Sequence, residues 1–406
     1  MHILYFHQHF STPQGSAGIR SYEMAKKLVV SGHKVTMVCG SYGGGNTGIE
    51  SDFVKGVRRG IVDGINVVEF ELEYSNEQGF LQRTKSFLSF ALRSVKIALT
   101  EKYDLLFATT TPLTAAIPGI AARWLRGKRF VFEVRDLWPE LPKQMGVIKN
   151  PVILGAMGVL EWAAYKSAHG LVGLSPGIVK GIERLNIDPS KITMIPNGCD
   201  LNIFDTEVQS WQPDGVNDTD LMAVFTGTHG IANGLDSVIN AAKVLKERSR
   251  SDIKLVLVGQ GKLKAGIIAQ AKEHELDNII FHDPVNKAKL AELMQRADVG
   301  MQLLANIPAF YYGTSPNKFF DYISSGLPVL NNYPGWLKDM INEHQCGIAV
   351  EPENPQSFAD ALVWFADHRD QLPAMSKAAT ELAKNDFDRN KLSYKFVNWL
   401  ERWSKC

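Results

Sequence analysis

The chain alternates short apolar runs with segments of helical periodicity, and most apolar runs end in a turn rich in small or polar residues. In the first half, the runs that predict strands cover residues 3–6, 35–38, 67–70, 105–108, 129–134, 170–174 and 192–195. Segments with apolar residues at helical spacing cover 17–30, 80–100, 113–125 and 152–168. Residues 40–64 contain three consecutive glycines and then basic residues, and are predicted to be a surface excursion. The repeated order of strand, loop, helix and strand predicts an α/β domain with a doubly wound parallel sheet.

The second half of the chain repeats this plan. Its predicted strands cover 221–225, 253–258, 278–281, 298–301 and 327–330, with helices at 235–248, 262–275, 287–296 and 316–325. A chain of 406 residues is too long for one ordinary domain. We therefore predict a first domain over 1–196 and a second domain that begins at 197, after a turn at 196–200.

The segment 315–330 combines a loop, a helix, a glycine break and a buried strand. Pro316 suits a helix start, and the free N–H groups there favour an anion. Lys318 in the first turn opposes the helix dipole unless an anion is bound, and Asp321 can accept two hydrogen bonds from a vicinal diol. The segment thus offers a phosphate site and a ribose site, which is the outline of a nucleotide-sugar pocket, with Ser315, Pro316 and Asn317 as further candidates for binding the sugar donor. The alternative is an ordinary amphipathic helix with a solvated Lys318.

Glycine-bearing loops follow three predicted strands, as nucleotide and phosphate binding requires. Because the carboxyl ends of parallel strands share one edge of a sheet, the loops at 226–234 and 259–261 should lie near the 316–325 helix. The loop at 11–20 lacks a complete G-x-G-x-x-G, so a dinucleotide is not favoured, although its backbone can approach a phosphate or sugar. The candidates in these loops for binding a nucleotide-sugar donor are Gly15, Ser16, Gly18, Gly227, Thr228, His229, Gly230, Asn233, Gly259 and Gly261.

A charged segment follows the predicted strand 129–134. It contains Arg135, Asp136 and Glu140, at the sheet edge where ligands of open parallel sheets bind. Asp136 is the leading candidate for a group beside a reacting carbon, and the alternative is an aspartate that caps a helix. Asn197, in the turn between the two halves, is a further candidate for the binding cleft.

Bulk composition is that of a globular protein, with 45% hydrophobic and 21% charged residues. The four cysteines are widely spaced and form no C-x-x-C pair, which favours reduced thiols over a disulfide frame or a zinc site. The N-terminus lacks the basic region of a signal peptide, and no run is long and apolar enough to predict a membrane span. These features together predict a cytoplasmic protein.

Charge is unevenly divided between the halves. Residues 1–196 contain 23 Lys/Arg and 16 Asp/Glu, while the remainder contains 21 and 27. The predicted helix 80–100 has a wide apolar arc, with Lys85, Arg93 and Lys96 on the opposite side. This profile is typical of a helix lying on anionic lipid headgroups, and equally of a surface helix packed on a sheet.

Several functional classes are not favoured by the motifs. Asp218 and Asp220 form a D-x-D pair, but it precedes a strand and so lies at the edge opposite to the ligand edge. The histidines show no ligand spacing on one face, so neither a metal nor another cofactor is expected. No basic pattern accompanies a nucleic-acid-binding fold, and nucleic acid is not an expected partner.

Taken together, these motifs resemble family 4 of the retaining GT-B glycosyltransferases. The resemblance runs from about residue 1 to 400, and more weakly extends to bacterial surface-polysaccharide enzymes that act with N-acetyl-L-fucosamine in O-antigen synthesis. It is carried by the glycine loop after the first strand, Ile195-Pro-Asn-Gly, Thr226-Gly-Thr-His-Gly, Val258-Gly-Gln-Gly and Ser315-Pro-Asn-Lys-x-x-Asp-Tyr-x-x-x-Gly.

The resemblance implies two Rossmann-like domains facing a cleft, with the donor mainly in 197–387 and the acceptor in 1–196. The C-terminal helix, about 388–406, would return to the first domain. The reaction implied is metal-independent sugar transfer with retention, and UDP is the nucleotide that the family favours.

Family roles transfer to this chain only in part. By position, Asp321 is the second acid of the family's E-x₇-E motif, and the first acid is replaced by Gly313. The two basic residues that bind the diphosphate correspond to Thr228 and Asn233, which leaves Lys318 as the main cation. The active-site histidine of the family falls near Arg135, beside Asp136.

The sequence hypothesis is therefore a glycosyltransferase at the inner face of the plasma membrane. It would use a nucleotide-diphosphate sugar, a polyprenyl-diphosphate-linked saccharide and an anionic membrane surface as partners. A nucleotide-sugar 2-epimerase of the same architecture and a catalytically silent binding subunit are the alternatives. Incubation of the donor without acceptor separates the first two.

Overall fold

A computed structural model of the protein describes residues 1–15, 17–75, 78–204 and 208–404. The chain forms two compact units. The first comprises Met1–Pro196, Gly313–Ser315 and Asn390–Cys406, and the second comprises Asn197–Tyr312 and Pro316–Arg389. Each unit contains a sheet of its own.

The sheet of the first unit contains eight strands in the described residues, in the order β3-β4-β2-β1-β5-β6-β7-β8. They are β1 (His2–Phe6), β2 (Lys34–Tyr42), β3 (Val57–Val62), β4 (Ile65–Tyr74), β5 (Leu105–Thr109), β6 (Arg129–Val134), β7 (Gly170–Gly173) and β8 (Ile192–Met194). All neighbouring strands are parallel except β3 and β4. Strand order reverses at β1, where Ile3 is paired with Val35 on one side and Leu105 on the other. Ligands of such sheets bind at this switch point, beyond the carboxyl ends of the strands.

Helices cover both faces of this sheet, and the sheet separates two apolar cores. They are α1 (Arg20–Val30), α2 (Phe80–Thr100), α3 (Ile117–Arg126), α4 (Glu140–Gln144), α5 (Pro151–Ser167) and α6 (Pro176–Glu183). Local sequence explains their limits. Asn150 accepts a hydrogen bond from the N–H of Val152 at the start of α5, and Gly127 adopts a left-handed φ of 62° where α3 ends.

The prediction for residues 40–64 is wrong in part, because β3 pairs antiparallel with β4 at the edge of the sheet. The two strands are joined by Asp63-Gly64, both with positive φ (48° and 80°), which is the backbone that a two-residue hairpin requires. Arg58 on β3 forms an ion pair of 2.8 Å with the buried Glu69 on β4. The Asp63-Gly64 dipeptide indicates a hairpin turn, but the glycine-rich segment before it favoured the prediction of a loop.

The predicted orientation of α2 is also wrong, although its bounds match the prediction. The buried positions include Ser86, Phe90 and Ser94, while Leu81 and Leu92 are 82% and 71% exposed. The helix therefore packs on the sheet through small and mixed residues, and its leucines lie on the exposed side together with basic residues.

The sheet of the second unit contains six parallel strands in the described residues, ordered β11-β10-β9-β12-β13-β14. They are β9 (Leu221–Thr226), β10 (Ile253–Val258), β11 (Ile279–His282), β12 (Val299–Gln302), β13 (Val329–Asn331) and β14 (Gly347–Ala349). The helices that follow α6 in the chain are α7 (Leu201–Phe204), α8 (Asp236–Glu247), α9 (Lys264–Glu273), α10 (Lys287–Arg296), α11 (Pro308–Gly313), α12 (Asn317–Ser324), α13 (Trp336–His344), α14 (Pro355–Asp367) and α15 (Leu372–Asp386). Strand order reverses between β9 and β12, which places a second switch point there.

The last helix, α16 (Arg389–Ser404), completes a core of the first unit. Phe396 and Leu400 are fully buried in that core, and the ring of Phe396 lies 5.0 Å from that of Phe107 on β5. Within the described ranges, none of the helices has both the length and the apolar character needed to cross a membrane.

Candidate active site

Helix α12 is fixed across the switch point of the second sheet by Tyr322. The hydroxyl of Tyr322 accepts a hydrogen bond of 3.1 Å from the backbone N–H of Thr226, at the end of β9. The ring lies against Gly300 on β12, where a Cβ atom would come within 2.4 Å of it. Pro316 is the N-cap residue and Asn317 begins the helix, one residue later than predicted. Ser315 precedes them. The first turn of α12 therefore lies beside the loop that follows β9.

Lys318 lies against that loop. Its ammonium donates a hydrogen bond of 2.7 Å to Oδ1 of Asn233 and lies 4.9 Å from the ring centroid of Phe225. A Cβ atom at Gly227 would be 3.4 Å from Cε of Lys318. Burial lowers the pKa of Lys318 to about 7. No carboxylate in the described residues forms an ion pair with Lys318, so this cation is partnered only by an amide and a ring.

The loop at 226–234 is held by the 259–261 loop through backbone packing. The N–H of His229 donates to the carbonyl of Gln260 at 3.0 Å. A Cβ atom at Gly259, whose φ is 154°, would lie 1.8 Å from the carbonyl oxygen of Gly227. At Gly261 it would lie 2.4 Å from the carbonyl oxygen of His229. These two glycines therefore allow the loops to touch, which is a structural role beside the donor-binding role predicted for them.

His229 is buried at the centre of this contact. Neither ring nitrogen has a hydrogen-bond partner in the part of the chain that the structure describes. Burial, together with the charge of Lys264, lowers the pKa of His229 to about 4. The imidazole is therefore neutral at pH 7. Gly230 and Asn233 follow it in the same loop, where the Asn233 amide also donates to the carbonyl of Thr228 at 2.6 Å.

Asp321 is buried and belongs to an ionic cluster that the sequence did not predict. Nζ of Lys287 lies 3.1 and 3.2 Å from its two carboxylate oxygens. The same ammonium lies 3.8 Å from Asp200, which is also bound by Arg389. Burial raises the pKa of Asp321, and the charge of Lys287 opposes that shift. A ribose role for Asp321 stays a prediction, and the carboxylate retains lone pairs for it because Lys287 can use only some of them.

In the first unit, the predicted residues at the end of β6 form a second charged cluster. The fully buried Glu133 binds Arg20 at 2.8 Å and Arg135 at 3.1 Å. Burial raises the pKa of Glu133, but the two guanidinium groups outweigh it and the net pKa lies below its usual value. Arg135 also donates to the hydroxyl of Ser21 at 2.8 Å. The guanidinium of Arg135 is therefore paired with Glu133, and the sequence did not predict this ion pair.

Asp136 follows this cluster and does not cap a helix, since α4 begins at Glu140 with Pro139 as its N-cap. Oδ2 of Asp136 accepts a hydrogen bond of 3.1 Å from the hydroxyl of Thr111. Burial raises the pKa of Asp136, against that hydrogen bond and the charge of Arg135. Glu140 instead forms an ion pair with Arg184.

The carboxyl end of β1 contains polar residues that sequence reasoning missed. His7 and Gln8 are buried, and His7 Nδ1, Gln8 Oε1 and His9 Nδ1 have no hydrogen-bond partner in the described residues. The ring of His9 lies 4.3 Å from that of Tyr74, in a group of aromatic rings that also includes Phe87 of α2. Buried polar atoms without a protein partner are normally satisfied by water or a ligand. The sequence did indicate this site, because three polar residues directly follow a buried strand.

The remaining predicted residues are dispersed. Gly15 lies where a Cβ atom would meet Oγ of Ser11 at 2.3 Å, so it allows the 11–15 loop to fold on itself. Gly18 is exposed, just before α1, and Asn197 is buried as the first residue of the second unit. Ser16 lies outside the described residues. Across the described ranges, no group of three or more His, Cys, Asp or Glu side chains is arranged to hold a metal ion.

Comparison with known protein families gives one match in each half of the chain. Residues 15–198 match the glycosyl transferase 4-like domain, and residues 209–382 match glycosyl transferases group 1.

Among curated proteins, D-inositol 3-phosphate glycosyltransferase of Xylanimonas cellulosilytica is 25% identical over 266 residues, which are 59% of this chain and 57% of that protein. The D-rhamnosyltransferase WbpZ of Pseudomonas aeruginosa is 26% identical over 157 residues, covering 38% of this chain and 39% of that protein. The chain thus spans about half the length of the curated relatives it matches.

Solved structures match over nearly the whole chain. Sucrose-phosphate synthase from Thermosynechococcus elongatus has a TM-score of 0.76 at 14% identity, covering 99% of this chain and 98% of that one. Anabaena HepE in complex with UDP-glucose has a TM-score of 0.67 at 15% identity, covering 99% and 100%. The predicted fold class is confirmed, and the narrower O-antigen and N-acetyl-L-fucosamine resemblance stays a prediction. With one matching domain in each half and neighbours of this fold, the chain belongs to the GT-B glycosyltransferases of the 4-like and group 1 families.

Proposed function

We propose that this protein transfers a sugar from a nucleotide-diphosphate donor to a lipid-linked saccharide, with retention of anomeric configuration and without a metal. The observation that carries the proposal is the position of Lys318. It is a partly buried cation at the start of α12, held by an amide and a ring and lacking a carboxylate partner in the described residues. Such a group is suited to receive an anion.

The chemistry requires a stabilised leaving group. The bond between the anomeric carbon and the β-phosphate oxygen breaks, and its electron pair leaves with the diphosphate. The acceptor oxygen forms the new bond on the face of the carbon that the diphosphate leaves, so that the configuration is retained, and it loses its proton. Lys318 and the first N–H groups of α12 oppose the charge that grows on the diphosphate. The neutral ring of His229 and the 226–234 loop add no negative charge to this region.

The donor side of the proposal rests on residues of the second unit. The diphosphate lies at Lys318 and Asn233, and the ribose diol lies at Asp321. Gly227, Thr228, Gly230, Ser315, Pro316 and Asn317 line the rest of the donor site. UDP is the first nucleotide to test, in line with the UDP-glucose complex of HepE. UDP-N-acetyl-L-fucosamine is the first sugar donor to test.

The acceptor side rests on the first unit. Asp136, with its raised pKa, is proposed to take the proton from the acceptor hydroxyl. The polar atoms of His7, Gln8 and His9 that have no partner in the described residues lie beside aromatic rings and are suited to saccharide hydroxyl groups. A polyprenyl-diphosphate-linked saccharide would place the enzyme at the inner face of the plasma membrane, in surface-polysaccharide or O-antigen synthesis.

Product analysis tests the proposal directly. The protein is incubated with a panel of UDP-sugars and polyprenyl-diphosphate saccharide, and the lipid fraction is examined for an added sugar. Lys318→Ala and Asp136→Ala should each lower turnover by about 100-fold or more, because each removes a group that acts on transferred charge or proton. Lys377→Ala, at an exposed lysine of α15, is the matched control and should be unchanged.

Two results would contradict the proposal. The first is the absence of sugar transfer from every donor in the panel while UDP still binds. The second is release of an isomerised donor without acceptor, detected by NMR, which would indicate an epimerase. A thermal-shift screen with UDP, GDP and ADP identifies the base, since a ligand of the folded state raises stability.

A further inference from the structure

Three neighbouring helices of the first unit hold more than half of the exposed large apolar side chains in the described residues. Helix α3 packs against α2 on one side and against α5 on the other. Nine large apolar side chains on these helices are exposed, including both exposed tryptophans of the described chain, Trp124 (68%) and Trp162 (53%). The others are Leu81, Leu88, Leu92, Leu125, Val152, Ile153 and Val159. We refer to the exposed side of α2, α3 and α5 as the three-helix face.

Charge on these helices is almost entirely of one sign. Together they contain seven Arg or Lys residues and a single acid, Glu161. Glu161 is 3% exposed and paired with Arg184 at 3.0 Å, so it contributes little negative charge to the surface. The basic residues are Arg83, Lys85, Arg93, Lys96, Arg123, Arg126 and Lys166. Apolar side chains surrounded by cations are complementary to an anionic lipid surface, where acyl chains and phosphates lie a few ångströms apart.

The tryptophans fit the same environment. Nε1 of Trp124 donates a hydrogen bond of 2.8 Å to the hydroxyl of Ser167 on α5, which fixes the exposed indole between α3 and α5. Because the indole N–H already has a partner, the ring can enter an apolar layer without leaving a donor unpaired. Indole rings are enriched at the level of lipid headgroups.

We infer that the three-helix face binds the surface of a bilayer that contains anionic lipid. The inference deepens the proposed function, because it identifies the surface through which the enzyme meets a lipid-linked acceptor. It also changes the sequence-based prediction for helix 80–100. The leucines of α2 lie on its exposed side with the basic residues, and α3 and α5 supply most of the apolar contact.

The geometry of α2 relates this face to the polar atoms at the end of β1 that lack a hydrogen-bond partner in the part of the chain that the structure describes. Ser86 of α2 accepts a hydrogen bond of 3.3 Å from Gln8, and the ring of Phe87 stacks 5.4 Å from Tyr74. The next residue, Leu88, is 48% exposed on the opposite side of the helix. A helix embedded in the headgroup layer would therefore hold the end of β1 close to the membrane.

Vesicle flotation tests the inference without measuring sugar transfer, so it and the proposed function can fail independently. The full-length protein should float with vesicles of 70% phosphatidylcholine and 30% phosphatidylglycerol. It should bind pure phosphatidylcholine at least about tenfold more weakly, and lose binding as salt is raised. The double variant Leu92→Ser, Val159→Ser should lower binding about tenfold or more, because two apolar contacts are removed.

A matched control uses exposed apolar residues of the same unit that lie away from this face. Val30 of α1 and Tyr394 of α16, whose helices pack on the opposite face of the sheet from α2, are 72% and 54% exposed, and Val30→Ser, Tyr394→Ser should leave vesicle binding unchanged. Thermal unfolding confirms that both double variants are folded, since all four positions are exposed. The inference is overturned if the wild type does not bind the anionic vesicles, or if the control lowers binding equally. It is also overturned if sedimentation shows a dimer that the face variant dissociates while vesicle binding is unaffected.

Discussion

Nucleotide affinity should depend on pH in a range where the diphosphate is already ionised, because Lys318 titrates there. Burial lowers the pKa of Lys318 to about 7, so about half of the free protein is charged at this position at pH 7. A bound diphosphate favours the ammonium and returns its pKa toward the ordinary value of about 10.4. Binding above pH 7 therefore takes up a proton, and affinity falls as pH rises.

The size of the effect follows from the fraction of Lys318 that is charged. At pH 8.5 about 3% of the free protein carries the ammonium, against about half at pH 7. The dissociation constant for UDP should therefore increase about 15-fold over this interval. The pKa of His229, about 4, lies far below this range, so its titration contributes nothing. The unliganded protein should show the opposite trend, since a depressed lysine pKa makes stability rise between about pH 7 and 10.

Isothermal titration calorimetry measures this directly, with UDP at four values between pH 7.0 and 8.5. Two buffers of different ionisation enthalpy give the number of protons taken up. Lys318→Arg keeps its charge throughout the range, so its affinity should be independent of pH. An affinity in the wild type that changes by less than about threefold would refute the reasoning, as would an equal decline in the arginine variant.

Three further predictions concern the architecture around the site. Gly259→Ala should destabilise the protein by about 2 kcal/mol or more, because its Cβ atom would lie 1.8 Å from a carbonyl oxygen. The control Gly266→Ala in α9 should be neutral or stabilising, because its Cβ atom meets nothing within 4 Å. Equal midpoints of urea unfolding for the two variants would contradict this. Arg20→Ala should cost about 3–5 kcal/mol at pH 7 by leaving the buried Glu133 with one cation fewer. Because the pKa of Glu133 is lowered, that cost should shrink as pH falls below about 4.5, and a pH-independent difference would be inconsistent with the ion pair. Asp321→Asn should weaken UDP binding about tenfold but leave 2′,3′-dideoxy-UDP unaffected, and an equal loss for both nucleotides would exclude a ribose contact.

The sequence predicted the sheets well because buried parallel strands are short continuous apolar runs. The run at 3–6 corresponds to β1, and the run at 253–258 corresponds to β10. Helical periodicity was less informative about orientation. On α2 the deeply buried positions include Ser86 and Ser94, which a pattern of hydrophobicity places on the exposed side. The close packing of a helix on a sheet selects small side chains as well as apolar ones.

Contacts between distant segments explain what the sequence could not provide at the candidate site. Lys287 pairs with Asp321, which is 34 positions away in the sequence, and Arg20 pairs with Glu133, which is 113 positions away. Neither partner stands out in its own segment. Lys318 and Asn233 were both identified as candidates, but their hydrogen bond depends on the loop packing that Gly259 permits. Local motifs indicate which residues approach a ligand, and the tertiary structure determines how their charges are balanced.

The position of α16 has a consequence for how this protein is made. The strands described in the first sheet all precede Pro196, yet Phe396 and Leu400, which bury one of its faces, lie on α16, about 200 residues later in the chain. At about 5–20 residues per second, a ribosome needs about 10–40 s to reach them. During that interval the apolar side chains around Phe107 lack their final cover. The nascent chain should therefore depend on chaperones until α16 has been synthesised, and deletion of α16 should impair the folding of the first unit.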